Sequence, residues 1–498
     1  MSDPIFRAVA GAVVLLYLAA ALFIPLAAID ALYLPDDTYY TLTIARNIAA
    51  GLGPTTDGVI QTTGFQPLIA LLLQPVFWLG LEGDAALRAA IVFSASFGAG
   101  AVILAGLIAR QATGAVGAGV LTLILAGVSS PVFVNSMNGL ETTLAGFFAL
   151  LLVLLASATT DENGPGRLIL IGVVAGLALW ARIDAALLIL VLLPVAIWRL
   201  GPRGTLIVAG AAVVTISPWV IYCLAQTGEP LPESGDAVRQ IVAFYAATGR
   251  ESFQNVEDMG KAMGRVLALK LPGEIRMLLP VLLLMPLLQA VRRRRMDGVA
   301  ILAAATLVMM FFYVFYLPAF WFFHRYMFWG GLVLVIVFVV TFWPLLHRAR
   351  YLPAVVVVLA LGGQHAVTFW DEARVWTGRM VAFYAGHNYG AVGQLLMPQV
   401  PEGSIVVAMQ SGALSWYAPE GVRVVNLDGV VNGEAQQAIL DGTLDLYIRD
   451  LGATHFADWP FNQLWLNERS TAPVAMTEVD HYDDHQREGL HFTLYTLD

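Results

Sequence analysis

Two adjacent carboxylates, Asp36 and Asp37, stand in the segment Pro35-Asp36-Asp37-Thr38-Tyr39-Tyr40, directly after an almost wholly apolar run from about residue 8 to 28. That run of about 20 residues matches one helical crossing of a bilayer. An acidic pair at the exit of a span can take a proton from a weak nucleophile at the membrane surface. One of the two could instead cap the helix that follows, because Asp is a preferred N-cap. A cap needs only one carboxylate, and the chain supplies two.

Other acids and bases stand at comparable places. Asn138-Gly139-Leu140-Glu141-Thr142-Thr143 leads into an apolar segment, so Glu141 either favours the positive end of a helix or faces a ligand. Arg182 and Asp184 occupy a tight turn between two apolar stretches, where charges are costly unless paired or functional. They form a local ion pair, or Arg182 offers its planar fork to a phosphate. His324 and Arg325 lie within the aromatic girdle Phe315 to Trp329, at the depth of lipid headgroups, where they contact phosphate or anchor by snorkelling. Glu233 belongs to the turn-rich Gly228 to Gly235, which opens a long loop of about residues 225–276 carrying Arg239, Lys261, Arg265 and Lys270. A loop of that length is functional or mobile. The sequence contains no phosphate-cradling glycine loop and no nucleophile elbow of the G-x-S-x-G type, which disfavours a nucleotide-driven pump and a serine hydrolase.

The elements that position these residues follow from composition. With 58% hydrophobic and 13% charged residues and a mean hydropathy of +0.73, the chain reads as a multispanning α-helical membrane protein. Basic clusters collect on the cytoplasmic side. Placing Arg110, Arg199 with Arg203, Arg292 to Arg295, and His347 to Arg350 inside predicts about eleven spans: 8–28, 88–109, 114–129, 143–158, 168–181, 184–198, 205–222, 277–291, 298–316, 327–345 and 352–369. Residues 159–167, with one Arg and two acids, fit this assignment least well. The N-terminus then lies in the cytoplasm and the C-terminus outside. The first apolar run is longer than a signal-peptide core and little positive charge precedes it, so it is expected to remain as a span.

Phe65 to Leu81 is apolar too, but crossing there would put every later arginine cluster outside. It is expected to lie in the outer leaflet. Tyr39 to Ala50 resembles it, with Tyr40, Ile44 and Ile48 at helical spacing and Gly51-Leu52-Gly53-Pro54 as a stop. The first external loop, about 29–87, is therefore a pair of juxtamembrane helices. The membrane module ends near residue 370. Residues 371–498 hold 6 Arg and 17 Asp plus Glu, more negative than the whole chain at −9. Strand-like runs there, Ser404 to Met409 and Val422 to Asn426, alternate with helical patterns such as Gly433 to Leu440, predicting an extracytoplasmic soluble α/β domain. Its acidity argues against nucleic acid as a partner. Cys223 is the sole cysteine, which excludes an internal disulfide and a thiolate metal site.

The order of these motifs resembles the C-type glycosyltransferases (GT-C), multispanning enzymes that use polyprenyl-phosphate sugars. The resemblance rests on Pro35-Asp36-Asp37-Thr38-Tyr39, on Ala45-Arg46-Asn47-Ile48-Ala49-Ala50-Gly51-Leu52-Gly53 and on Thr63-Gly64-Phe65-Gln66-Pro67-Leu68. Asn138-Gly139-Leu140-Glu141-Thr142, the Arg182-Ile183-Asp184 turn and Pro230-Leu231-Pro232-Glu233-Ser234 are similar to blocks of its arabinofuranosyltransferase-like and mannosyltransferase-like branch. The C-terminal domain is similar only loosely, through Ser411 to Tyr417 and Asn426-Leu427-Asp428-Gly429. The resemblance implies a membrane-embedded inverting glycosyltransferase of a bacterial cytoplasmic membrane. It would move a sugar from a polyprenyl-phosphate donor to a glycan, lipid or protein acceptor at the outer face.

Asp36 would then be the catalytic base, and Asp37 would orient the acceptor, assist Asp36 or help hold a divalent cation. Mg²⁺ or Mn²⁺ on Asp36, Asp37 and Glu141 would be that cation. Gln66 stands where the lipid A aminoarabinose branch places a lysine near the donor phosphate, so phosphate binding falls to Arg182, His324 and Arg325. Asn138, Glu141, Asp184, Gln66 and Glu233 are expected to line the substrate site. Two readings from other classes remain: a transporter or flippase of lipid-linked saccharides, which would keep its charges near the bilayer midplane on repeated helices, and a non-catalytic glycan-binding assembly protein.

Overall fold

Asp3 starts the first helix, its side chain accepting the Phe6 N–H at 3.0 Å while Pro4 fills the first turn, where a missing N–H costs nothing. In the computed structural model, residues 3–159, 164–248, 279–319, 323–348, 352–379, 388–483 and 491–498 are described. From that start run α1 (Pro4–Phe23), α2 (Leu26–Leu32), α3 (Asp36–Ala49), α4 (Pro67–Trp78), α5 (Gly83–Thr113), α6 (Val116–Gly127), α7 (Ser130–Ser136), α8 (Thr142–Ser157), α9 (Pro165–Ala181), α10 (Ala185–Thr227), α11 (Ser234–Ala247), α12 (Leu279–Arg293), α13 (Gly298–Phe311), α14 (Phe323–Tyr326), α15 (Phe328–Arg348) and α16 (Leu352–Trp376).

A helix stands at every expected span, but length and composition do not establish eleven separate crossings. Among the described residues five helices are long and apolar enough to cross a membrane, or six if the bent pair α6–α7 is one span. Two features account for part of the difference. The expected spans 184–198 and 205–222 are both helical and count as one in α10, which breaks between them where Gly201 takes φ 64° ahead of Pro202, a left-handed conformation that suits glycine. Several others are short: α6 has 12 residues and turns by 66° into α7, α8 has 16 and α9 has 17. The 12-residue α4 is about 18 Å long, too short for a crossing, in keeping with the reading of Phe65 to Leu81. Of the expected external loop 225–276, α11 is described; Lys261, Arg265 and Lys270 fall outside the described residues, as do 160–163 of the weakly charged loop.

The helices alternate in direction so that chemistry and basic clusters occupy opposite ends. Helix α8 leads away from Glu141 and its neighbour α9 returns to Arg182; α10 leaves from Asp184 toward Arg199 and Gly201; α13 leaves Asp297 and arrives at Tyr313; α15 leaves Arg325 and ends at Arg348. Thr227, at the far end of α10, comes back to the cavity described below.

Residues 388–483 and 491–498 fold around a five-stranded sheet of order β2-β1-β3-β5-β4, with β1 (Ile405–Ala408), β2 (Arg423–Asn426), β3 (His455–Asp458), β4 (Met476–Asp483) and β5 (His491–Leu497). β1 pairs in parallel with β2 and β3, and β5 runs antiparallel to β3 and β4. Parallel neighbours need crossovers. Here α18 (Gly412–Trp416) joins β1 to β2, and α19 (Gly433–Asp441) with α20 (Leu444–Asp450) joins β2 to β3. Before the sheet comes α17 (Tyr389–Leu396), and α21 (Pro460–Glu468) follows β3. The expected α/β domain is present, although α16 carries the helical part on to Trp376, past residue 370.

The sheet domain seats on the first external loop through close backbone contact. A Cβ on Gly412 would lie 2.3 Å from the Asp36 carbonyl oxygen, and one on Gly64 would lie 1.6 Å from the Val430 carbonyl oxygen. Only glycine permits either approach. Asp30 of α2 adds a polar clasp: its carboxylate accepts the Tyr39 hydroxyl at 2.6 Å and the Gly390 and Ala391 N–H groups at 3.0 and 3.1 Å.

Candidate active site

Asp36 and Asp37 occupy the first turn of α3, but Pro35 holds the N-cap position and no side chain caps the helix. The capping reading therefore fails, and both carboxylates go elsewhere. Asp36 is 5% exposed. Its Oδ2 accepts the Gly412 N–H at 2.7 Å and its Oδ1 the Ala413 N–H at 2.8 Å. Burial pushes its carboxyl up to about 8; the two amides act against that rise, and the nearby charges of Asp37 and Asp458 add to it.

Asp37 pairs with Arg325, whose Nη2 lies 2.6 Å from its Oδ2. Burial works to lower the Arg325 pKa, but the carboxylates of Asp37 and Glu141 override it and the guanidinium stays charged. Arg182 is the hub of a second group. Its Nη1 donates to Glu141 Oε1 at 2.7 Å, its Nε and Nη2 grip Asp184 at 3.2 and 2.9 Å, and Nη2 also reaches the Tyr313 hydroxyl at 3.3 Å. The Tyr313 hydroxyl in turn donates to Asp184. The Tyr326 ring lies 4.4 Å from the Arg182 guanidinium and 5.6 Å from that of Arg325, placing it between two cations.

These groups line one cavity of about 2150 Å³, which Asn138, Gln66, Glu233 and His324 also border. All ten expected site residues thus meet at one place. Their local roles differ from expectation in three respects. The local ion pair at the Arg182 turn is real, so the fork expected to meet phosphate is filled by Asp184 and Glu141. Glu233 braces the loop, accepting the Thr63 N–H and hydroxyl at 3.0 Å each. Asn138 is similarly engaged, with its carbonyl taking the Thr38 hydroxyl at 2.7 Å and its amide reaching Thr142 at 3.2 Å. His324 is exposed toward the cavity. Asp36, Asp37 and Glu141 do not converge as metal ligands: among the described residues, one other trio brings its ligand atoms within 4.8 Å.

The sheet domain supplies the opposite wall. Gln410 after β1, Asn426 and Asp428 at the end of β2, and Trp459 and Asn462 after β3 all border the cavity, so it lies outside the carboxyl ends of the parallel strands, the usual ligand position in such sheets. Burial pushes the Asp428 carboxyl up to about 7, against hydrogen bonds from Val430 and Asn426, with Asp37 adding to the rise. Asp458 is fully buried, and Met409, Gln410, Trp459 and Asn462 donate to it. It fixes the loops that carry the wall. Sequence reasoning missed Asp428 as a site residue, although Asn426-Leu427-Asp428-Gly429 drew notice. It also left Tyr326 within the aromatic girdle and Tyr313 within the expected span 298–316, giving neither a place in the site; the adjacency of Tyr326 to Arg325 was the available signal.

No family model matches the sequence, and no curated protein matches it. Solved structures do. ArnT from Cupriavidus metallidurans, bound to undecaprenyl phosphate, aligns over 97% of this chain and 97% of its own, with 16% identity and a TM-score of 0.55. The oligosaccharyltransferase of Archaeoglobus fulgidus, in complex with Zn and sulfate, aligns over 98% of this chain and 72% of its own, with 12% identity and a TM-score of 0.56. At such identities the likeness is one of fold. The chain has the GT-C fold, as the sequence motifs anticipated.

Proposed function

We propose that this protein is an inverting glycosyltransferase that moves a sugar from a polyprenyl-phosphate donor to a glycan, lipid or protein hydroxyl at the outer face of a bacterial cytoplasmic membrane. The observation that carries the reading is the shared cavity, where the aspartate doublet meets two arginines beneath the sheet domain. The basic clusters at the opposite helix ends support an outward-facing cavity. Its size suits a sugar, a phosphate and part of an acceptor together. The binding of undecaprenyl phosphate by a structural neighbour supports the donor class.

In the proposed reaction the acceptor hydroxyl oxygen attacks the anomeric carbon while the bond from that carbon to the phosphate oxygen breaks. Polyprenyl phosphate leaves with the electron pair. Attack and departure on opposite faces invert the centre, and Asp36 takes the hydroxyl proton. A carboxylate with two backbone donors still has lone pairs to accept one, and a base whose pKa lies near ambient pH is well matched to the task. For the phosphate, Arg325 with His324 is better placed than Arg182, whose fork is already filled. A phosphate arriving at Arg325 would displace Asp37, releasing that carboxylate to orient the acceptor. No step requires Asp36, Asp37 and Glu141 to share a cation.

The test uses purified protein and a polyprenyl-phosphate sugar in detergent. Asp36→Asn should bind donor as the wild type does and lose transfer by about 10²- to 10⁴-fold. Full transfer by that variant would remove Asp36 as the base, and a wild type that shows no turnover in detergent but moves the lipid vectorially once reconstituted in sealed liposomes would replace the enzyme by a carrier.

A further inference from the structure

The β4–β5 hairpin, whose outer strand β4 forms the sheet edge, carries a separate cluster of His481, Asp483 and His491 that does not border the cavity. Strand geometry assembles it. Residues two apart share a face, which places His481 beside Asp483, and the ladder puts His491 directly opposite Asp483. Asp483 Oδ1 lies 3.3 Å from His481 Nε2 and 2.6 Å from His491 Nδ1. The three ligand atoms lie within 4.8 Å of one another. Two ligands held by one tetrahedral ion at about 2.0–2.1 Å stand about 3.3 Å apart, so small rotations would place all three around one centre.

Two details distinguish this cluster from an ordinary group of surface charges. Glu478 is three residues from His481, an odd separation that would set it on the opposite face of a regular strand. The ladder slips between Glu478 and Asp480, and this bulge re-aims the side chain. Glu478 Oε1 thereby reaches His481 Nδ1 at 2.8 Å. A carboxylate accepting Nδ1–H fixes the tautomer and turns the Nε2 lone pair toward Asp483, the arrangement usual behind a metal-bound histidine. The second detail is His491 Nδ1, which is shielded from solvent and makes no hydrogen bond of acceptable angle despite its closeness to Asp483.

We propose that His481 Nε2, His491 Nδ1 and Asp483 Oδ1 form a binding site for a divalent first-row transition ion. Two imidazoles and one carboxylate favour Zn²⁺ over Mg²⁺ or Ca²⁺, which prefer all-oxygen shells. Three protein ligands leave a fourth position for water. Bound there, the ion ties the edge strand to its neighbour at the end of the hairpin. The site stands independently of the glycosyltransferase reading.

The experiment takes untagged full-length protein in detergent, stripped with EDTA, and titrates ZnCl₂ in competition with a chromophoric chelator. The wild type should take up one equivalent that His491→Ala and Asp483→Asn both lose, with circular dichroism showing each variant folded. Glu478→Gln should keep that stoichiometry and weaken affinity by about 10- to 100-fold, and excess MgCl₂ should not displace the ion. Equal Zn²⁺ uptake by wild type and both ligand variants overturns the proposal, as does displacement by Mg²⁺.

Discussion

Asp36 and Gly412 meet across 376 residues of chain: the Gly412 N–H donates to Asp36 Oδ2 at 2.7 Å, and a Cβ on that glycine would lie 2.3 Å from the Asp36 carbonyl oxygen. The proposed base is thus held by the sheet domain. Its carboxylate is oriented from a domain outside the helical part, which makes that domain part of the site.

The contact predicts a specific sensitivity. Gly412→Ala should push α18 off the start of α3, with overpacking costing about 1–3 kcal/mol and transfer falling well beyond what stability explains. Gly210→Ala, where the added carbon meets nothing within 4 Å, should leave both unchanged. Hydrogen exchange at residues 36–41 is the measurement. Unaltered protection in Gly412→Ala would mean that the domain does not hold this turn.

The raised pKa of Asp36, about 8, gives a pH dependence with a definite sign. Below that value the carboxyl holds its proton and cannot accept another, so kcat/KM should rise with pH, approaching tenfold per unit well below pH 8, and level above it. An opposite fall through that range would require a protonated group as the essential species. A profile of kcat/KM between pH 6 and 9.5 reads this directly, and a flat profile would dissociate Asp36 from the proton transfer.

Arg182 and Glu141 form a buried pair, with side-chain exposures of 9% and 4%. Arg182→Met leaves Glu141 and Asp184 without their shared cation. Losing one partner of a buried pair costs about 3–5 kcal/mol, so thermal unfolding in detergent should drop sharply. Arg182→Lys should recover only part, because an ammonium cannot grip Asp184 and Glu141 with a planar fork. Wild-type stability in the Lys variant would show that charge alone suffices.

The sequence made the apolar segments, the acidic doublet and the C-terminal α/β pattern readable, because each leaves a local signature of hydropathy, periodicity or adjacency. It also gathered the site: residues as far apart as Asp36, Glu141, Arg182 and Arg325 were expected on one face through the positive-inside rule, and one cavity unites them. Pairing inside the site was not legible. Nothing local in the Arg182 turn tells that Glu141 and Tyr313 complete its shell, or that Glu233 spends its carboxylate on Thr63. The sheet's contribution was hidden for the same reason, since Asp428 gains its meaning from the far end of the chain docking over α3. Span number stayed ambiguous because hydropathy reports apolar length but not a bend such as the 66° turn between α6 and α7.

Arg325 also offers a test of how a donor phosphate would enter. Its Nη2 is held by Asp37 at 2.6 Å, so an incoming phosphate competes with that carboxylate for the same cation. Removing the cation and removing the competitor should then act in opposite directions. Arg325→Ala should weaken binding of polyprenyl phosphate by about 10- to 100-fold, the worth of a charge-assisted hydrogen bond. Asp37→Asn should tighten it while slowing transfer, because the released carboxylate is no longer there to orient the acceptor. Equilibrium binding of the phosphate lipid alone, with no sugar to turn over, separates the two effects. If both variants bind more weakly, Asp37 supports the phosphate site and does not compete for it, and the exchange of partners at Arg325 has to be abandoned.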